Sequence, residues 1–174
     1  MTHDQCPECG DELDDPILDF AYDVPDCLFE IVKTRGVEGL RGRLWVSPGN
    51  DFLEFDRSRW FVRGLFPVQI EGGLEFRFGV WLELPSKAEF VHLMEAWDDK
   101  TAYEKLSFEA RLANGLERQG VLGEYVHVEG GPDVNQKPVV HESENPTLKR
   151  LLKQGWTLEQ YERFLDDFER RAAG

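Results

Sequence analysis

Residues 60–84 read WFVRGLFPVQIEGGLEFRFGVWLEL, and their alternation decides the fold. Trp60, Val62, Gly64, Phe66, Val68 and Ile70 are apolar or small at every second position. Leu74, Phe76, Phe78, Val80, Leu82 and Leu84 repeat the pattern. A period of two marks half-buried strands, and directly opposed residues of an antiparallel pair point to the same face. Paired numbers must therefore have an even sum. A loop of Glu71, Gly72 and Gly73 meets that condition, with Ile70 opposite Leu74, Phe66 opposite Phe78, Gly64 opposite Val80 and Trp60 opposite Leu84. A two-residue Gly72-Gly73 turn would set Val68 against Arg77 and needs a β-bulge to restore the faces. The other face carries Phe61, Arg63, Leu65, Gln69, Glu75, Arg77, Trp81 and Glu83, a mixture expected of a half-covered surface. Arg63 falls opposite Trp81, where a guanidinium can lie over an indole. These two side chains are the candidate surface for a ligand or partner.

Working outward, 44–46 and 52–55 read as strands around the turn Pro48-Gly49-Asn50-Asp51. The pattern predicts an α+β fold: an antiparallel β-meander of about four to six strands packed by helices over 86–97, 107–116, 146–154 and 158–172. Ser86 and Glu89 form a capping box ahead of Phe90, Leu93, Met94 and Trp97 at helical spacing. Phe108, Leu112 and Leu116 supply the stripe of the second helix. Asn145 caps the third, with Pro146 in its first turn and Gly155 at its end. Thr157 and Gln160 box the last, flanked by Trp156 and Tyr161 as a hydrophobic staple. Shorter expectations are an edge strand around Leu18, Phe20 and Tyr22, a helix from Cys27 to Thr34 capped by Asp26, and strands at 125–128 and 137–141. The length suits one domain, 1–174. It divides into an irregular acidic segment (1–26), the meander (43–84) and a helical part with two short strands (86–174).

The net charge of -14 is unevenly placed. Asp4, Glu8, Asp11, Glu12, Asp14, Asp15, Asp19, Asp23, Asp26 and Glu30 fall in the first thirty residues, which hold no Lys or Arg. Such a surface disfavours duplex nucleic acid, which needs its phosphates neutralised. It suits a basic protein partner or a cation. No apolar run approaches a membrane span. No apolar stretch follows a basic one near the start, so no secretory leader is expected and the cytoplasm is the expected compartment.

Cys6-Pro7-Glu8-Cys9-Gly10 has the form of a zinc knuckle, two thiolates on a tight turn. Cys27 follows at the spacing of a second knuckle, but Glu30 stands where its fourth cysteine would be. The candidate metal set is therefore Cys6, Cys9 and Cys27, completed by Glu30 or His3, with zinc as the cofactor. A redox pair is disfavoured because no strand precedes the motif. His127 and His141 on neighbouring strands are a second, weaker metal candidate. No nucleophile elbow, phosphate loop or HExxH occurs, and carboxylates are too abundant to nominate an acid/base pair.

In order along the chain, Cys6-Pro7-Glu8-Cys9-Gly10, Asp23-Val24-Pro25, Phe61-Val62-Arg63-Gly64, Phe78-Gly79-Val80-Trp81, Leu112-Ala113-Asn114, Pro138-Val139-Val140, Asn145-Pro146-Thr147-Leu148 and Gly155-Trp156-Thr157 resemble a bacterial family known as domain of unknown function 2199. Leu13 and Asn145 stand where that family typically has histidine. The resemblance implies a shared fold and carries no known activity. From the residues themselves the expected function is a non-enzymatic binding or interaction domain with a structural zinc knuckle. The alternatives are a small zinc-dependent enzyme and an immunity or antitoxin-type protein that covers a basic partner.

Overall fold

The computed structural model describes residues 19–116, 120–131 and 136–172. It is an α+β fold built on the expected hairpin: β4 (Arg59–Ile70) and β5 (Leu74–Leu84). Their register runs from Trp60 opposite Leu84, through Gly64 opposite Val80, to Ile70 opposite Leu74. The parity argument therefore holds along the whole ladder. Gly72 and Gly73 take φ of 99° and 92°, a left-handed turn that glycine adopts without a Cβ penalty.

Strands β4 and β5 are long, so their outer edges are each shared by two neighbours. Twelve residues at about 3.3 Å each exceed the reach of the short strands beside them. On β4, the first half pairs with β3 (Phe52–Phe55), which continues to β2 (Leu44–Val46). Further along, Leu65 pairs in parallel with Val139 of β8 (Val139–Glu142). On β5, residues Arg77–Gly79 pair in parallel with β1 (Asp19–Ala21), and Leu82 and Glu83 pair with β6 (Ser107–Leu112). Strands β6, β7 (Tyr125–Glu129) and β8 then pair in sequence. The sheet thus closes on itself as a five-stranded barrel, β4-β5-β6-β7-β8, with β1 and the β3-β2 pair as flanges.

This corrects the expected open meander. The described chain has eight strands, not four to six, and two of its pairings are parallel. Gly64 is what lets the barrel shut. A Cβ there would stand 2.5 Å from Leu82 Cδ1 and 3.2 Å from the Pro138 carbonyl oxygen. That same carbonyl accepts from Leu65 N at 2.8 Å, the bond that brings β8 alongside β4.

The expected helix over 107–116 is also corrected: Ser107–Leu112 is strand β6. Phe108 and Leu112 are four apart, a spacing that fits one helical face and one strand face alike. Ala110 between them decides it, since Ala110 and Leu112 are buried while Ser107, Glu109 and Arg111 point outward. Pairing with β7 at five positions supplies the ladder.

The helices at either end of the hairpin behave as expected. Ser86 Oγ accepts from Glu89 N at 3.3 Å and starts α2 (Lys87–Trp97), which buries Phe90, Leu93 and Ala96. A single turn, α3 (Lys100–Tyr103), follows. Asn145 Oδ1 accepts from Thr147 N and Leu148 N at the start of α4 (Pro146–Gln154). Thr157 and Gln160 exchange both capping-box bonds at the start of α5 (Leu158–Ala172). Helix α1 (Asp26–Arg35) forms as expected, but Pro25 holds its cap position without a side-chain bond, and Asp26 has another task described below.

Two cores result. The even-numbered hairpin face joins α2, α4 and the barrel interior around Phe66, Phe76, Phe78 and Val80. The odd face buries Phe61 and Trp81 with Leu28, Leu40, Leu53, Phe55 and Ala113 under α1. Burial of each such side chain is worth roughly 1.5–3 kcal/mol, so the mixed face is a second packing surface.

Candidate functional site

The segment between β1 and α1 is held to the barrel by three side chains. Arg63 Nη1 donates to the Tyr22 carbonyl at 2.6 Å and Nη2 to that of Asp23 at 3.4 Å. Trp81 Nε1 donates to the same two carbonyls at 3.2 and 3.3 Å. The Arg63 guanidinium carbon lies 4.4 Å from the Trp81 ring centroid, the contact expected from their opposition. Trp81 is 0% exposed and Arg63 is half-buried. Burial pushes the Arg63 pKa down from its ordinary value, while Asp23 and Asp51 pull it up.

Asn114, 0% exposed, completes the latch. Its Oδ1 accepts from Trp81 N at 2.8 Å, and its Nδ2 donates to the Val24 carbonyl at 3.0 Å and to Asp26 Oδ1 at 2.9 Å. Asp26 Oδ2 accepts from Gly115 N at 2.9 Å. The carboxylate expected to cap α1 instead ties the start of that helix to the turn after β6. All polar atoms of the Asn114 amide are thereby engaged.

This latch sets one wall of an open groove of about 1020 Å³. Residues 19–24 of β1 and the latch form that wall, and Cys27, Phe29 and Glu30 of α1 another. Leu112 ends β6, and Ala113, Leu122 and Gly123 come from its connection to β7. Arg59 and Glu83 meet across the hairpin, with two bonds of 2.6 and 2.8 Å. Phe29 and Leu122 both line the groove and are 53% and 55% exposed.

Of the predicted metal set, His3, Cys6 and Cys9 lie outside the described residues. Cys27 and Glu30 sit three apart on α1 and line the same groove. Burial pushes the Cys27 thiol pKa up, and the adjacent Arg59 guanidinium opposes that shift. Among the described residues, no three His, Cys, Asp or Glu side chains stand together in a metal-holding group. His127 and His141 lie on adjacent strands, and each has Nε2 3.6 Å from a different oxygen of Glu129. His127 Nδ1 meets Glu109 at 2.7 Å, and Nε2 lies 3.3 Å from Ser107 Oγ. This row faces solvent on the outside of the barrel.

A family described as an uncharacterised protein conserved in bacteria, DUF2199, matches residues 5–155. The chain belongs to it. The span shared with DUF2199 contains the whole latch, every residue lining the groove and all eight strands, and it stops at the end of α4. No curated protein and no solved structure shows significant similarity to the chain. Among the described residues no helix is long and apolar enough to cross a membrane.

Sequence reasoning missed the groove. Phe29 falls within the helix expected from Cys27 to Thr34, and nothing in its spacing marked it as exposed. Leu122 had a usable signal: an apolar residue in a turn between Gly120 and Gly123, with no strand or helix period to bury it.

Proposed function

We propose that this DUF2199 protein is a non-enzymatic binding domain whose recognition surface is the groove between β1, α1 and the β6–β7 connection. The observation that carries this reading is the character of the lining. It is mainly apolar, and most of its polar side chains already have structural partners. Asp26 is engaged by Asn114 and Gly115, Arg59 by Glu83, and Asp19 by Arg77 at 2.8 Å. A concave apolar surface with a few fixed polar groups is the usual form of a binding site. The acidic net charge favours a basic protein partner in the cytoplasm, of the kind an immunity or antitoxin-type protein covers.

The test compares capture from extract of the native bacterium. Wild-type protein is expected to retain a discrete basic protein, and a chain carrying Phe29→Asp and Leu122→Asp is expected to lose it. Val37→Asp is the control, since Val37 is exposed and does not line the groove. Equal retention by all three proteins would refute the groove as the recognition surface.

A structural zinc ion held by Cys6, Cys9 and Cys27, with Glu30 or His3 as fourth ligand, is a second element of the proposal. It is favoured by Cys27 and Glu30 sharing one groove at a helical spacing of three. Metal analysis should find about one zinc per chain, lost in Cys6→Ser and Cys9→Ser. Metal-free protein whose melting temperature ignores chelator would end that element and leave the groove untouched.

A further inference from the structure

We infer that the groove takes a linear, basic segment of another protein, in which an apolar side chain is flanked by lysine or arginine. The inference rests on the groove being the recognition surface and names what fills it.

Charge is the first argument. Five carboxylates line the groove; Arg77 pairs Asp19 and Arg59 pairs Glu83, which leaves Asp23, Asp26 and Glu30 without an ion pair among the described residues. Arg59 is already bonded to Glu83, so it offers little to an anion. Glu30 is exposed and makes no ion pair among the described residues. Carboxylates on low-dielectric walls focus a negative potential, which raises the local concentration of cations and speeds their encounter.

The apolar lips are the second argument. Phe29 and Leu122 come from different elements, border one cavity and are each more than half exposed. Exposed apolar side chains at a concave surface mark an anchor position for a partner side chain. At about 1020 Å³ the open groove sits at the top of the usual small-molecule range of roughly 300–1,000 Å³. That size suits several consecutive residues of a chain.

The competing occupants carry the wrong charge. Residues 1–18 contain Asp4, Glu8, Asp11, Glu12, Asp14 and Asp15 and neither Lys nor Arg. A second copy brings a net charge of -14. A second copy, and a leading segment not held at Cys27 by zinc, are both repelled by the groove's carboxylates, whereas a basic segment is drawn to them.

The experiment uses the full chain, isotope-labelled for amide NMR. The probes are a short peptide alternating arginine with leucine and its glutamate–leucine counterpart. The basic peptide should bind with shifts centred on Phe29, Glu30, Leu122 and Gly123. Its affinity should fall about tenfold in Glu30→Lys, and about tenfold between low and physiological-to-high salt. The acidic peptide should not bind. Equal binding of the two peptides, shifts centred elsewhere, or no binding at millimolar peptide would overturn the inference. If the basic peptide fails while capture of the native partner still depends on Phe29 and Leu122, the groove stands and only its occupant is wrong. If capture is indifferent to those residues, the reading of the groove falls first. Two further results would also overturn the inference by naming another occupant. One is broadening of the Phe29 and Leu122 amides, in chelator-treated protein, by a spin label at position 14. The other is self-association abolished by Leu122→Asp.

Discussion

Replacing Asn114 by aspartate changes one atom type and reverses the latch. In the native protein Asn114 accepts from Trp81 N and donates to Val24 O and Asp26 Oδ1. The variant keeps the acceptor and turns the donor into a second acceptor, aimed at a carbonyl oxygen and a carboxylate. The bond donated to Val24 O is lost, at roughly 1 kcal/mol, and the one to Asp26 survives only while the two carboxyl groups hold a proton between them. Two carboxylates held at hydrogen-bond distance in a buried site cannot both ionise, so they share a proton. The expected deficit near neutral pH is about 3–5 kcal/mol, a large part of the ~5–15 kcal/mol that holds a domain of this size. Its sign with pH follows from proton binding. The folded variant holds the shared proton above about pH 4, where an unfolded aspartate has released it. Stability is therefore retained near pH 4 and lost as pH rises toward 7. The assay is urea unfolding of wild-type and Asn114→Asp at both ends of that window, followed by tryptophan fluorescence. Asp26→Asn added to the variant should return most of the loss by restoring one donor–acceptor contact. A deficit independent of pH, or one that the second substitution leaves unchanged, would show that Asn114 is not the pivot of the latch.

Three further outcomes are expected. Gly155→Ala should cost about 3 kcal/mol or more, because residue 155 has φ of 65° and a Cβ would stand 1.9 Å from the Gln69 carbonyl oxygen; thermal unfolding reads it. Arg63→Lys should cost about 1–2 kcal/mol, since an ammonium keeps at most part of the stacking and of the forked contact with Tyr22 and Asp23; denaturant midpoints at unchanged slope check it. Burial pushes the Tyr103 pKa up to about 12, while its hydroxyl donates to the Gln136 carbonyl. A folded pKa above the unfolded value near 10 means that stability is full below pH 10 and falls through pH 12, by up to about 2 kcal/mol; Tyr103→Phe should remove that alkaline loss, and absorbance of the phenolate gives the titration directly.

The hairpin was legible because pair parity is a local constraint: every residue from Trp60 to Leu84 reports the same register. The helix caps at Ser86, Asn145 and Thr157 were legible for the same reason. Strand β6 was not, since Phe108 and Leu112 satisfy both periods and only pairing with β7 selects the strand. Barrel closure depends on Leu65 meeting Val139, a contact no local pattern contains. Arg63 and Trp81 were correctly placed face to face. Their shared duty toward Tyr22 and Asp23 required knowing where the N-terminal strand lies. Leu122 and Phe29 came to border one groove only once the turn after β6 was tied to the start of α1. The thiols of Cys6 and Cys9 lie outside the described residues, so the knuckle rests on its sequence spacing and on Cys27.

The sharing of each hairpin edge between two strands has a consequence for the order of folding. The β4–β5 ladder joins residues close along the chain, so its loop-closure entropy is small and it can form early. The β4–β8 contact joins Leu65 to Val139 and must wait until β6 and β7 are laid down between them. Closing that long loop comes late and should limit the rate, as non-local strand pairing generally does. Until then the even-numbered face beyond Gly64 lies open to other chains. Aggregation during refolding should accordingly track the lifetime of the unclosed barrel, and a substitution at Gly64 should lengthen it more than it shifts the unfolding rate.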